Sequence, residues 1–258
     1  MPQFQPPSQT EIKLLTRPSR AYFRPRFRGL EHLSPERPAL LVGNHTLLGV
    51  LDAPLLVAEI YAERGIWLRA LGDRFHFGVP GWRQLLERYG VVVGSRETCA
   101  ALMRQGQHVL VFPGGGREVF KRKGEAYELI WKARTGFAQM AINHEYPIVP
   151  FGAVGAEDCF DIVLDADDVL DSSLGGLLKR TPLIDAMRGG DAMLPLVRGW
   201  LGTPVPKRKR FYFALGEAIE TRGLGDDVAA VAALRDRTRA AIERLIGELK
   251  SQRQREGD

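Results

Sequence analysis

The chain of 258 residues is 45% hydrophobic and 26% charged, a balance that excludes a disordered or fibrous chain and fits one large domain or two small ones. Its two cysteines, Cys99 and Cys159, lie far apart and in no C-x-x-C arrangement, which argues against a disulfide framework or a thiolate metal site and sets a reducing, cytoplasmic setting as the expectation. The net charge is +5, and Arg17, Arg20, Arg24, Arg26 and Arg28 crowd one stretch, a surface suited to anionic headgroups or nucleic acid.

Residues 1 to 10 are polar and proline-rich, and 1 to 27 are expected to form a basic, loosely ordered arm. The start "MPQFQPPSQTEIK" lacks the charged-then-apolar order of a signal peptide, and no run approaches the roughly 18 apolar residues of a spanning helix. "PALLVGN" then reads as a buried strand, 53 to 64 as a helix, "IWLRAL" as a strand and 80 to 89 as a helix. "GVVVGS", a helix over 96 to 105 ended by Gly106, "HVLVF", a helix over about 126 to 143 and "PIVPFGAV" follow. This alternation predicts an α/β fold with a largely parallel central sheet flanked by helices on both faces.

Residues 155 to 206 break the pattern with Gly-Gly pairs and prolines and read as a loop-rich insertion of short helices. "RFYFALG" returns as a strand, and Val228, Val231, Leu234, Ala241, Leu245 and Leu249 recur at helical spacing in the tail. The organisation expected is therefore an arm over 1–27, a domain over 28–220 that contains the insertion, and a basic C-terminal helix over 221–258 packed on it.

Two polar stretches end on predicted strands, where open α/β sheets place their ligands. In "LVGNHTLLGVLDAPL", His45 stands among apolar residues and reads either as a satisfied structural histidine or as a catalytic imidazole. Asp52 precedes Ala53-Pro54, the pattern of a helix cap. One continuous helix would separate the two by roughly 10 Å along its axis, whereas a turn at Gly49 could fold Asp52 back to His45, so the cap and dyad readings coexist. In "VFPGGGREVFKRKGE", Gly114, Gly115 and Gly116 follow a strand and precede Arg117 and Glu118, a loop that can present backbone N–H groups to an anion or simply make a tight turn. The spacing is not that of a Walker A loop. Ser95 lacks the second glycine of a nucleophile elbow, and His76, His108 and His144 stand singly, without metal-ligand spacing.

Taken in order, "GNHTLLGVLDAPLL", "LGDRFHFGVPG", "GVVVGSRETCAALMRQG", "FPGGGREVF", "KARTGFAQMA" and "PIVPFGAVGAED" resemble the blocks of the glycerolipid and lysophospholipid acyltransferase superfamily over roughly residues 28 to 220. The most similar branch contains diacylglycerol acyltransferase 2-like and phytyl ester synthase-like enzymes. The resemblance implies that His45 is the catalytic histidine, that Asp52 is its carboxylate partner, and that Gly114 to Glu118 shape the acceptor or oxyanion site. Two departures stand out: the common H-x4-D spacing would put the acid at Val50, and Gly114 and Gly116 replace the Glu and Thr of F-P-E-G-T-R.

The second departure resembles neutral-acceptor enzymes, so the expected acceptor is a mono- or diacylglycerol or a long-chain alcohol, while Arg117 keeps a lysophospholipid open. The reaction implied is acyl transfer from acyl-CoA or acyl-carrier protein, with no bound cofactor and no metal. A lipid ester or thioester hydrolase could use the same dyad. Lipid substrates imply a bilayer, and Arg20, Tyr22, Phe23, Arg24, Arg26, Phe27 and Arg28 are the expected membrane contacts of a cytoplasmic protein peripheral on a membrane's inner face. The basic runs lack a nucleic-acid reading motif, which argues against that partner.

Overall fold

Short aliphatic runs form the strands and amphipathic stretches the helices in the computed structural model, which describes residues 4–178, 181 and 188–257. In chain order the elements are α1 (Gln9–Phe23), β1 (Arg26–Arg28), β2 (Leu40–Gly43), α2 (Ala53–Arg64), β3 (Arg69–Gly72), α3 (Trp82–Arg88), β4 (Val92–Val93), α4 (Arg96–Arg104) and β5 (Val109–Val111). After these come α5 (Gly116–Val119), α6 (Gly136–Asn143), β6 (Ile148–Val154), β7 (Asp161–Leu164), α7 (Ala166–Leu170), α8 (Ser173–Leu178), β8 (Leu196–Arg198), β9 (Tyr212–Leu215) and α9 (Val228–Arg255).

The main sheet has the order β1-β9-β6-β2-β5-β3-β4. The five strands from β6 to β4 are parallel, and β9 runs antiparallel to β6. Successive residues of β2 face opposite ways: Leu40 and Val42 pack with Leu102 of α4, Phe137 of α6 and Ile242 of α9, whereas Leu41 packs with Leu55, Leu56 and Ile60 of α2. Both faces are therefore covered by helices, as the periodicity predicts. Gly152 in β6 lets α9 lie close, because a Cβ there would stand 3.1 Å from the Leu245 Cβ and 3.2 Å from the Ile246 nitrogen. The parallel strands share one carboxyl edge, and β2, between β5 and β6, delivers His45 to its middle.

Three expectations need correction. Residues 9–28 are no loose arm: Ser8 caps α1 through the Glu11 N–H (3.1 Å), and β1 joins the sheet beside β9. Its aromatic residues are used inside the protein. Phe23 is buried and stacks on Phe211 (4.2 Å between centroids), Phe27 stacks on Phe213 (4.7 Å), and the Tyr22 hydroxyl donates to the Pro206 carbonyl (2.8 Å). Arg20 pairs with Glu59 and Arg28 with Glu248, which leaves Arg24 and Arg26 as the arginines of the expected membrane contact that are exposed and without an ion pair among the described residues.

The helix expected over about 126–143 is only α6. Upstream, Tyr127 and Lys132 have φ of 65° and 51°, and the Tyr127 and Ile130 N–H groups donate to the carboxylates of Glu157 and Glu118 instead of to a helical ladder. The insertion contains the short helices α7 and α8, with residues 182–187 outside the described part, but it also holds an antiparallel two-stranded sheet, β7 with β8.

Candidate active site

The chain leaves β2 under tight control. Gly43 lies against the Phe151 ring, which stands 2.4 Å from where a Cβ would sit, so a side chain cannot be accommodated there without moving the ring. The buried Asn44 amide forms two hydrogen bonds with Ala153 of β6, donating to its carbonyl (2.9 Å) and accepting from its N–H (2.8 Å). These two features fix the direction in which His45 leaves the sheet.

His45 is half-buried, and its ring stacks on Phe112 at 3.9 Å and 12°. The Gly49 N–H donates to the Thr46 carbonyl (2.9 Å), and this turn, with φ of +61° at Gly49, brings the backbone so near that a Cβ would lie 2.4 Å from His45 Cε1. The buried Nδ1 makes no hydrogen bond among the described residues. Burial, with the nearby charges of Lys121 and His76, lowers the His45 pKa to about 3, so the imidazole is neutral at physiological pH.

Gly49 thus makes the turn that a folded-back Asp52 requires, but Asp52 uses Oδ1 to cap α2 through the Ala53 N–H (2.9 Å). No hydrogen bond joins Asp52 to His45. The carboxyl is buried, which raises its pKa, and the Thr46 hydroxyl approaches it without reaching bonding geometry. Two buried polar atoms, His45 Nδ1 and Thr46 Oγ1, therefore remain unsatisfied among the described residues, a combination that costs free energy unless a rearrangement pairs them.

The glycine loop follows β5. Gly115, at φ +51°, donates its N–H to the Phe112 carbonyl (3.0 Å), while the N–H groups of Gly114 and Gly116 make no hydrogen bond among the described residues. Arg134 holds the loop from behind by donating to the carbonyls of Pro113 (2.9 Å) and Gly114. Gly114 leaves no room for a side chain, because a Cβ would fall 2.1 Å from Glu118 Cδ.

Into that space Glu118 extends, fully buried. Its Oε2 accepts the His45 backbone N–H (3.1 Å) and its Oε1 the Ile130 N–H (2.8 Å), so one carboxyl ties the histidine loop to the segment before α6. Burial pushes its pKa up to about 7, against the opposing pull of the Lys121 ammonium and these two N–H groups. Lys121 is itself buried and bonded to Glu157 (2.5 Å) and to the Glu128 carbonyl (3.1 Å). Arg117 is buried and spent on carboxylates, with Nη1 2.8 Å from Glu125 Oε2 and Nε 3.4 Å from Asp191 Oδ1.

The structure therefore brings His45, Gly114 to Gly116 and Glu118 together, leaves Asp52 as a cap, and turns Arg117 inward. Asn44, Phe112, Lys121 and Arg134 build the site without having been singled out in the sequence. Arg134 lies in "KARTGF" and Asn44 in "GNH", and a polar residue at the end of an apolar strand was the one signal available for the latter.

Among curated proteins, phytyl ester synthase 2, chloroplastic, of Arabidopsis thaliana is 35% identical over 207 residues, which cover 76% of this chain and 29% of that protein. The DGAT1/2-independent enzyme synthesizing storage lipids of Mus musculus is 36% identical over 186 residues, 69% of this chain and 51% of that one. The chain thus spans less than a third of the plant relative and about half of the mouse one. The crystal structure of the 1-acyl-sn-glycerophosphate (LPA) acyltransferase PlsC from Thermotoga maritima shares the fold, with a TM-score of 0.57 at 13% identity over 92% of this chain and 79% of that one. The acyltransferase family profile matches residues 24–154, from the end of α1 to the end of β6 and so across the strand ends that carry His45 and the glycine loop, and the chain belongs to the acyltransferase family.

Proposed function

We propose that the protein moves a fatty acyl group from a thioester, acyl-CoA or acyl-carrier protein, to the hydroxyl of a neutral lipid alcohol. The observation that carries the reading is the His45 imidazole, held between Phe112 and Gly49 at the carboxyl end of β2, beside a glycine loop with two N–H groups unused among the described residues. With Nδ1 buried, Nε2 is the nitrogen left to take the proton of the acceptor hydroxyl. The hydroxyl oxygen then bonds the thioester carbon, the N–H groups of Gly114 and Gly116 receive the oxyanion, and its collapse expels the thiolate, which recovers the proton from the imidazolium. No acyl-enzyme is required.

Asp52 completes this scheme by turning its carboxylate from Ala53 toward Nδ1, which fixes the tautomer and stabilises the imidazolium. The unsatisfied Nδ1 and the burial of the Asp52 carboxyl support that movement. A neutral acceptor is favoured by Arg117, whose guanidinium is already neutralised by Glu125 and Asp191 and so is not free to bind a phosphate. The phytyl ester and storage-lipid activities named for the relatives agree with such an acceptor. Among the described residues no helix is long and apolar enough to cross a membrane, and the place proposed for the reaction is the cytoplasmic surface of a bilayer.

The test is mass spectrometry of products after the purified protein meets mixed acyl-CoA and a panel of alcohols with and without phosphate. Esters of neutral alcohols are expected. Acylation of lysophospholipids alone would overturn the acceptor class, and release of free fatty acid alone would make the protein a hydrolase.

A further inference from the structure

We propose that the β7–β8 sheet and the turn after it form a docking surface for an anionic lipid bilayer. The turn closes on itself: the Gly199 N–H donates to the Thr203 carbonyl (2.6 Å), the Trp200 N–H to the Val205 carbonyl (2.7 Å), and the Thr203 hydroxyl to the Trp200 carbonyl (2.7 Å). Its tip presents Trp200 and Leu201, 57% and 79% exposed, and Leu196 of β8 is 61% exposed. Leu201 also sits at φ 51°, a conformation that favours glycine. A self-closed turn that holds a tryptophan and a leucine in water finds no explanation in the packing of the described residues.

Charge identifies the occupant. Lys207 bonds Asp161 (2.5 Å), but Arg24, Arg26, Arg208 and Lys209 have no carboxylate partner among the described residues. They line the segment that leaves the turn: the Tyr22 hydroxyl bonds the Pro206 carbonyl, Arg208 Nε donates to the Tyr22 carbonyl (3.3 Å), and the Arg26 N–H donates to the Phe211 carbonyl (2.8 Å). An apolar tip with a tryptophan, followed along the chain by cations without an ion pair, matches an anionic membrane interface. The other exposed aromatic lobe, Phe75 with Trp82, is a poorer match, because Arg83, Arg88 and Arg188 there are paired with Glu87, Glu11 and Asp73, which leaves Arg74 as its one arginine without an ion pair among the described residues.

Position connects the surface to the site. β9 is antiparallel to β6, with Tyr212 opposite Val154, so the basic segment before β9 lies on the same edge of the sheet as His45. A bilayer held there would bring its lipids to the edge where the acceptor enters. The inference rests on the lipid-acceptor reading for its purpose, but its observable, vesicle binding, does not depend on turnover.

The experiment is co-sedimentation of the full chain with phosphatidylcholine vesicles with and without phosphatidylglycerol, in the absence of acyl donor. Binding to the anionic vesicles is expected, and it should weaken as salt rises from about 0.1 M to about 1 M and the Debye length falls from about 10 to 3 Å. Trp200→Ser with Leu201→Ser should weaken it by at least about tenfold, and Arg24→Ser with Arg208→Ser should remove most of its salt dependence. All four side chains are exposed, and circular dichroism checks the fold of each variant. Vesicle binding by the Trp200/Leu201 variant equal to that of the parent overturns the inference, as does loss of binding only in Phe75→Ser with Trp82→Ser. Vesicle binding without ester formation would instead leave the docking surface standing and refute the proposed reaction.

Discussion

Glu118→Gln separates what the buried carboxyl does for His45 from what it costs the fold. The glutamate accepts two backbone N–H groups with its two oxygens, whereas a glutamine has one acceptor and must turn its NH2 toward the other donor. An unsatisfied buried N–H costs about 1–3 kcal/mol. Against this stands the burial of the charge, which raises the pKa from 4.5 to about 7. A group with a raised folded pKa contributes its full stability below the unfolded value and loses it as pH rises through the folded one. The parent therefore loses about 2–3 kcal/mol between pH 5 and pH 8 on account of this residue, and the variant loses none of it.

Urea unfolding of both proteins at pH 5 and pH 8 reads this directly, because every other titrating group is common to the two and cancels in the difference. The variant should gain about 2–3 kcal/mol on the parent between the two pH values and stand within about 2 kcal/mol of it at pH 8. Acyl transfer should fall by about tenfold or more at pH 8 even so, because the His45 backbone loses its fixed acceptor. Parallel pH–stability curves would refute the burial argument. Full turnover in the variant would refute the positioning role.

His45→Ala should abolish transfer while the melting temperature moves by only a few degrees, and turnover by the folded variant would sink the assignment of the base. Asp52→Asn still offers an oxygen to the Ala53 N–H, so stability should hold, while turnover should fall by two orders of magnitude or more if the carboxylate reaches Nδ1 during the reaction; a loss below about tenfold would leave Asp52 as a cap alone. Lys121→Met strands the buried Glu157 carboxylate and should cost about 3–5 kcal/mol in urea unfolding, most of it recovered when Glu157→Gln is added. A small loss in the single variant, or no recovery in the double, would show that the pair is not coupled.

Much of the fold is legible in the chain because it is local. Apolar runs such as "ALLVG" and "IVPFGAV" are too short for helices, the stretches between them carry apolar residues at helical spacing, and that alternation dictates parallel strands with helices on both faces. The same logic places His45 and the glycine loop at strand ends. It fails for β1, whose sequence Arg-Phe-Arg reads as a basic arm until Phe27 stacks on Phe213, and for β7 and β8, which are each too short to be recognised alone.

The roles of charged residues depend on partners far along the chain, which no local pattern records. Arg117 offers a phosphate site until Glu125 and Asp191 occupy its guanidinium, and Glu118 suits a substrate until the N–H groups of His45 and Ile130 take both its oxygens. By itself the sequence determined which residue types stand at the strand ends. Only the tertiary structure decided which of them keep an unused donor or acceptor, because hydrogen-bonding capacity is finite and contacts between distant segments consume it.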